Sequence, residues 1–264
     1  MVGRTGVSVQ AEAQLLQGLG WLLVVTLLAC SVDRPAEPPV LPRLASGDPD
    51  ALLAAVRERE SRIRTLRARF TAQTSSEGEK RTSDGVLLVK KPDGFRLRLT
   101  MPLGLTVFDY VSRGDHSQVS LPLEDRIVNG PAADHFEPIS RQDLGQSFLR
   151  GPNVFPGACA GRGRNDQPGI LFMCHDASGT LLRQILIDAR TAAIIEETSY
   201  EAGEPRMVLR FDDYRPVDGV YLPHRIALWY PRRLMSAEIA IQRYEVNPDL
   251  ADALFEPVIP WAGW

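Results

Sequence analysis

Apolar and polar residues alternate with a period of two through most of the chain, in short segments separated by turn signals. Residues 84–91, 95–100 and 105–111 show it first. In the second of these, Phe95, Leu97 and Leu99 face one way while Arg96, Arg98 and Thr100 face the other. Such alternation marks a strand with one buried face. Pro92-Asp93-Gly94 is a turn between the first two segments. The pattern returns over 117–121, 171–174, 181–188, 194–200, 207–214, 221–230 and 237–244, with Ala177-Ser178-Gly179 and Asp218-Gly219 among the breaks.

Two stretches keep a helical period instead. Asp48-Pro49 is a helix start, with Asp as N-cap and Pro at the first helical position. Leu52, Val56, Ile63, Leu66 and Phe70 follow at spacings near three, four and seven, with charged residues such as Arg57, Glu58, Arg59 and Glu60 between them. The spacing predicts a long amphipathic helix of about five turns, its charges forming a solvated face. A shorter helix is predicted over 140–150, ending at Gly151-Pro152. Short strands joined by turns form an antiparallel meander, not βαβ units. The expected class is mainly β with helices (α+β): a large antiparallel sheet curved around a long N-terminal helix and a shorter one. An apolar concavity between sheet and helices is a place an acyl chain can enter.

Composition adds little to this. Of 264 residues, 44% are hydrophobic and 24% charged, as in an ordinary folded body. A formal charge of -3 provides no basic field, so nucleic acid is not an expected partner.

The N-terminus changes the picture. The apolar run from Trp21 to Ala29 has nine residues and ends at Cys30. A membrane-spanning helix needs roughly 20, whereas a signal-peptide core is about this short. Leu27-Leu28-Ala29-Cys30 resembles the lipobox of bacterial lipoproteins. The resemblance implies a signal peptide over 1–29 and a diacylglycerol plus N-acyl lipid on Cys30, with no other cofactor. Residues 30–47, with Pro35, Pro38, Pro39 and Pro42, read as the lipidated cysteine and an extended tether. Ser31 stands where enteric lipoproteins retained in the inner membrane carry Asp, so the expected address is the outer membrane, facing the periplasm. Residues 48–264 then form a single domain.

With Cys30 acylated, Cys159 and Cys174 remain as a pair flanking a loop over 160–173. In an oxidising compartment they can form a disulfide; two free thiols are the alternative. No second Cys or His lies at ligand spacing beside His175, so no metal site is expected. His116, His135, His175 and His224 are scattered, and Asp212-Asp213 and Glu196-Glu197 read as solvated strand ends. Nucleophile-elbow, P-loop, dinucleotide and zinc-protease motifs are all missing, so no catalytic residues are expected.

The segment Gly94-Phe95-Arg96-Leu97-Arg98-Leu99-Thr100-Met101-Pro102-Leu103-Gly104-Leu105-Thr106 resembles LolB, the outer-membrane receptor of the LolA/LolB lipoprotein-localisation family. Leu66 through Lys91, the expected helix near 140–150, and Tyr244-Glu245-Val246-Asn247-Pro248 through Phe255-Glu256-Pro257 follow the plan of that wider family. The resemblance implies an open half-barrel of antiparallel strands whose cavity accepts the acyl chains of a lipoprotein handed over by a periplasmic LolA-like carrier. It implies a monomer, and a membrane-insertion loop of Pro102, Leu103 and Gly104 with Leu103 exposed to lipid. A hairpin with Leu103 folded back on the sheet is the plainer alternative. At the level of function, the alternatives are a lipid-binding sensor or accessory lipoprotein without transfer activity, and a structural lipoprotein.

Overall fold

The computed structural model describes residues 48–101, 103–114, 116–130, 158–163 and 169–257. The signal peptide, Cys30 and its tether, and the helix expected over 140–150 lie outside the described residues. The one α-helix described, α1, covers Pro49–Ser61. The Asp48 carboxylate accepts from the Ala51 amide at 3.2 Å, and Pro49 supplies the fixed φ of a first turn.

The helix is shorter than the sequence pattern predicts. Its expected second half, around Leu66–Phe70, is the first part of a strand. Leu66, Ala68, Phe70 and Ala72 are buried while Arg67, Arg69 and Thr71 are not, which is a period of two. Leu66 and Phe70 stand four apart, a spacing that helix and strand share. Ala68 between them decides the matter.

Thirteen strands follow among the described residues. They are β1 (Thr65–Ser76), β2 (Glu79–Lys90), β3 (Gly94–Thr100), β4 (Thr106–Arg113), β5 (His116–Leu121), β6 (Arg126–Asn129), β7 (Ala158–Gly163), β8 (Gly169–His175), β9 (Leu181–Asp188), β10 (Ile194–Glu201), β11 (Glu204–Val217), β12 (Val220–Tyr230) and β13 (Met235–Val246). All lie in one open antiparallel sheet, ordered β6-β5-β4-β3-β2-β1-β13-β12-β11-β10-β9-β8-β7. Two meanders, β1–β6 and β7–β13, are therefore joined along a single seam between β1 and β13, from Leu66 opposite Val246 to Ser76 opposite Met235. Strand β7 and the start of β8 replace the loop expected over 160–173: the edge is a paired hairpin.

Polar contacts fix the start of the seam. Asn247, held at φ 56°, accepts from the Arg64 amide at 2.7 Å and donates to the Arg62 carbonyl at 2.9 Å. The turn that leaves α1 is thereby tied to the end of β13. Inside the seam, the Phe70 ring lies over Gly85, its register partner on β2. A Cβ at Gly85 would stand 2.1 Å from that ring.

The reverse face of β2–β4 is also covered. Leu250 and Phe255, from the segment after β13, pack on Leu88 and Val111. Beside them Asp109 is buried and accepts from both Arg96 and Arg98, and Arg96 also reaches the Leu254 carbonyl at 2.9 Å. Lys90 ties the segment at Asp252 (2.6 Å) and at the Leu250 carbonyl (2.8 Å). Double-sided burial accounts for the unbroken apolar run Val86 to Val89.

Two tests follow from these contacts. Gly85→Val forces Phe70 out of its place, and we expect a loss of about 1–3 kcal/mol in urea unfolding, as overpacked sites give. The Lys90 hydrogen bond, then the charges of Lys90 and Arg113, hold the Asp252 carboxyl below its ordinary value of 3.8. A lowered folded-state pKa stabilises above the unfolded pKa and is lost as pH falls through the folded one. Between about pH 5 and pH 3 the native chain should lose more stability than Asp252→Asn does.

Candidate functional site

The inward face of the sheet is apolar almost throughout. Leu87, Phe95, Tyr110, Leu209, Ile226 and Ile239 belong to one continuous cluster spanning both meanders. A second cluster forms where Leu52, Leu53 and Val56 of α1 cover Phe172, Ile185 and Ile187 of β8 and β9. Register places both on the same face: Phe172, Ile185, Glu197, Leu209 and Leu228 oppose one another in turn across five strands.

Glu197 is the exception in that row. It is buried, and Arg183, one step along β9, pairs with it at 3.1 Å. The sequence placed Glu196-Glu197 together at a solvated strand end. The sheet separates them instead, with Glu196 turned outward to Arg210 at 2.8 Å and Glu197 turned into the core. Burial of such a charge requires a partner, and Arg183 supplies it.

The two apolar clusters meet at a seam beneath the C-terminal half of α1. A cavity of about 70 Å³ opens there, walled by Val56 and Ile63 on one side and by Phe211, Leu222, Ile226 and Tyr244 on the other. Arg59 and Lys91 stand at its rim. Burial lowers the pKa of each; Tyr214 and then Glu60 partly offset this at Arg59, and Glu60 does so at Lys91. Arg59 donates to the Thr191 carbonyl at 2.9 Å and Lys91 to that of Glu60 at 2.7 Å. The phenols within are satisfied by backbone: Tyr214 donates to Ile194 and Tyr244 to Pro223. Burial also pushes the Tyr244 phenol well above its ordinary pKa. An apolar wall beside a charged group of Arg59, Glu60 and Lys91 is suited to an amphiphile.

The cavity is well below the roughly 300 Å³ at which ligand pockets begin. A larger hollow of about 900 Å³ lies on the reverse face, floored by Thr71, Gln73, Arg210, Arg225 and Glu238. Ile195, Ala227 and Ala240 also line it, so its wall mixes charged and apolar surface.

The segment expected to be a membrane-insertion loop falls on the β3–β4 hairpin. Pro102 lies outside the described residues. Leu103 and Gly104 both have left-handed backbone, at φ 77° and 79°, and the tip is closed by the Gly104 amide on the Met101 carbonyl at 3.1 Å. The Leu103 side chain is 99% exposed and projects from the body instead of folding back on the sheet. Cys159 and Cys174 are register partners on β7 and β8, with Cα atoms 4.1 Å apart, and are joined by a disulfide. His224 is structural: its Nδ1 lies 3.1 Å from the Leu222 carbonyl and its ring meets Tyr244 edge-on. Among the described residues no group of three metal-ligating side chains occurs, and no helix is long and apolar enough to cross a membrane.

An open antiparallel sheet with a helix against its apolar face recurs in several solved structures. The structure is similar to that of a LolA superfamily protein from Nitrosomonas europaea, with a TM-score of 0.58 at 11% identity, over 77% of this chain and 97% of the other. It is similar to an outer-membrane lipoprotein-sorting protein domain from Vibrio parahaemolyticus, with a TM-score of 0.57 at 14% identity, over 79% and 97%. A DUF1329 family protein from Desulfovibrio piger matches with a TM-score of 0.61 at 15% identity, over 78% and 96%. At these identities the likeness establishes the fold. The sequence itself matches no family model and no curated protein.

The disulfide closes a short loop, with a sequence separation of 15. Replacing both cysteines by serine should lower stability by about 3 kcal/mol, the chain-entropy value for a loop of that size. Urea unfolding of the oxidised chain and of the double variant checks this.

Proposed function

We propose that this protein is an envelope lipoprotein of LolB-like role, which takes up the acyl chains of other lipoproteins and helps insert them into the outer membrane. Its own anchor is the lipid on Cys30, its donor a periplasmic LolA-like carrier, and it works as a monomer by binding and release, not by catalysis. The observation that carries the reading is the seam cavity, walled by the end of α1 and by the apolar face of the sheet, on a fold shared with a lipoprotein-sorting domain.

Uptake requires α1 to move, because the closed cavity is too small. Burial of Leu52, Leu53 and Val56 holds the helix by roughly 5–9 kcal/mol, an upper bound. An acyl chain of about sixteen carbons leaving water offers about 0.8 kcal/mol per methylene, or roughly 12 kcal/mol. The ligand outweighs the contacts it displaces. Leu103 then gives the loaded protein a point of entry into lipid, worth about 1.5–3 kcal/mol, enough to bias docking without trapping it.

The test is a titration of the Cys30→Ser chain with a fluorescent triacylated lipopeptide, using the non-acylated peptide as control. Saturable binding of the acylated form alone is expected. Val56→Trp, which fills the seam, should weaken it roughly tenfold. Leu103→Glu should leave uptake intact and slow transfer to vesicles. Failure of the folded chain to bind the acylated peptide would sink the proposal. Normal transfer by Leu103→Glu would leave a lipid-binding accessory protein in its place.

A further inference from the structure

Leu103 is not alone. In an antiparallel meander successive hairpins alternate between the two ends of the sheet, so the β3–β4 and β5–β6 hairpins share an end with β1–β2. Ser76 at the close of β1 opposes Met235 at the opening of β13, which brings the β12–β13 hairpin to that same end. Among the described residues, every exposed large hydrophobic side chain lies there. Leu103, between exposed Met101 and Leu105, tops the first hairpin. Leu123 (63% exposed) tops the second and Leu234 (76%) the third. Ile127 and Trp229 stand one or two residues inside the second and third. The described turns at the opposite end carry Lys91 and Asp93, Gly114, and Asp218-Gly219, with no exposed large apolar side chain.

The two added tips are built alike. Each is a single 3-10 turn opened by proline, Pro122–Glu124 and Pro231–Arg233, and closed by a left-handed residue, Asp125 at φ 49° and Leu234 at φ 51°. At about 4.8 Å per strand, Leu123 is about 10 Å and Leu234 about 19 Å along the sheet from Leu103.

We infer that this whole end of the sheet is a docking edge for a phospholipid bilayer, with Leu123 and Leu234 as second and third insertion tips beside Leu103. The inference rests on the membrane-facing role proposed for Leu103. Isolated leucines separated by polar turns, such as Glu77-Gly78, do not make the contiguous dry patch of a protein interface. A fluid bilayer accepts them one at a time. Arg232 and Arg233 flank Leu234, with Arg232 shared by Glu201 and Glu204, and place polar side chains at headgroup depth. Trp229, half-exposed behind them, is the side chain most at home at that depth. Glu124 and Asp125 beside Leu123 make its tip the weaker of the two on an anionic surface.

The experiment places one environment-sensitive fluorophore on the full lipidated chain, at Leu103→Cys, Leu123→Cys, Leu234→Cys or, at the far end, Asp218→Cys. Cys30 is acylated and Cys159 and Cys174 are bonded, so the new cysteine carries the label. The chains are reconstituted into phosphatidylethanolamine–phosphatidylglycerol vesicles with and without spin-labelled lipid. We expect a blue shift and quenching at 103, 123 and 234, none at 218, and the smallest effect of the three at 123. Quenching at 103 alone overturns the inference and leaves the reading of Leu103 standing. Labels at 123 and 234 that stay wet in vesicles but respond to an added acyl-loaded carrier also overturn it, since the edge then serves a protein. Equal quenching at 218 overturns it too, because the chain then has no preferred edge. If no position is quenched while lipopeptide uptake is normal, both the docking edge and the role of Leu103 in delivery fall, and the acyl-binding interior remains.

Discussion

The pairing of β1 with β13 is the constraint on which everything else in the domain depends. Every other neighbour in the sheet is also a neighbour in sequence, so each meander is assembled from local hairpins. Only this seam, in which residues near 70 meet residues near 240, makes them one surface. Contacts so distant in sequence form late and cost loop-closure entropy. The structure concentrates specificity there: an alternating apolar stripe on both strands, the Asn247 tie at one end, and the Phe70 ring seated on Gly85. A slip of one residue would turn Leu66, Ala68 and Phe70 outward and divide the interior in two.

That interior and the docking edge have opposite physical demands. The interior must be kept from water, which α1 does over β8 and β9 with three side chains, and the proposed edge must keep leucines in water until lipid is near. Left-handed backbone serves the second purpose, because Leu103 and Leu234 are held at hairpin tips where their side chains have nothing to fold back upon. The C-terminal segment supports both indirectly. By covering the reverse face of β2–β4 it stiffens the strands from which the Leu103 hairpin springs.

Much of the fold was legible because the alternation is strong: β9 is found with the bounds its pattern predicts, and β2–β5, β8 and β10–β13 within a few residues. The errors have physical reasons. Residues 66–70 satisfy two periods at once, and the helical start at Asp48-Pro49 invited continuing the helix through them. Strands β6 and β7 are short and sit at the ends of the sheet order, where one missing neighbour relaxes the pattern. Leu103 could be singled out because its Pro-Leu-Gly segment resembles the LolB loop. Leu234 could not, since Pro231-Arg232-Arg233-Leu234 has no glycine and its tip is formed by a left-handed leucine. The size of the cavity was beyond reach, being a matter of packing across distant strands, as was the burial of Glu197, which depends on Arg183 two strand-lengths away in sequence.

The cross-link between Cys159 and Cys174 has a meaning for a sheet that never closes. Strand β7 ends the order on one side, and an end strand is a template that can peel away and be replaced by a strand from another molecule. A covalent rung between the last two strands removes that exchange: β7 can fray but cannot leave. The sheet is thereby given one border whose last strand no intruding chain can replace.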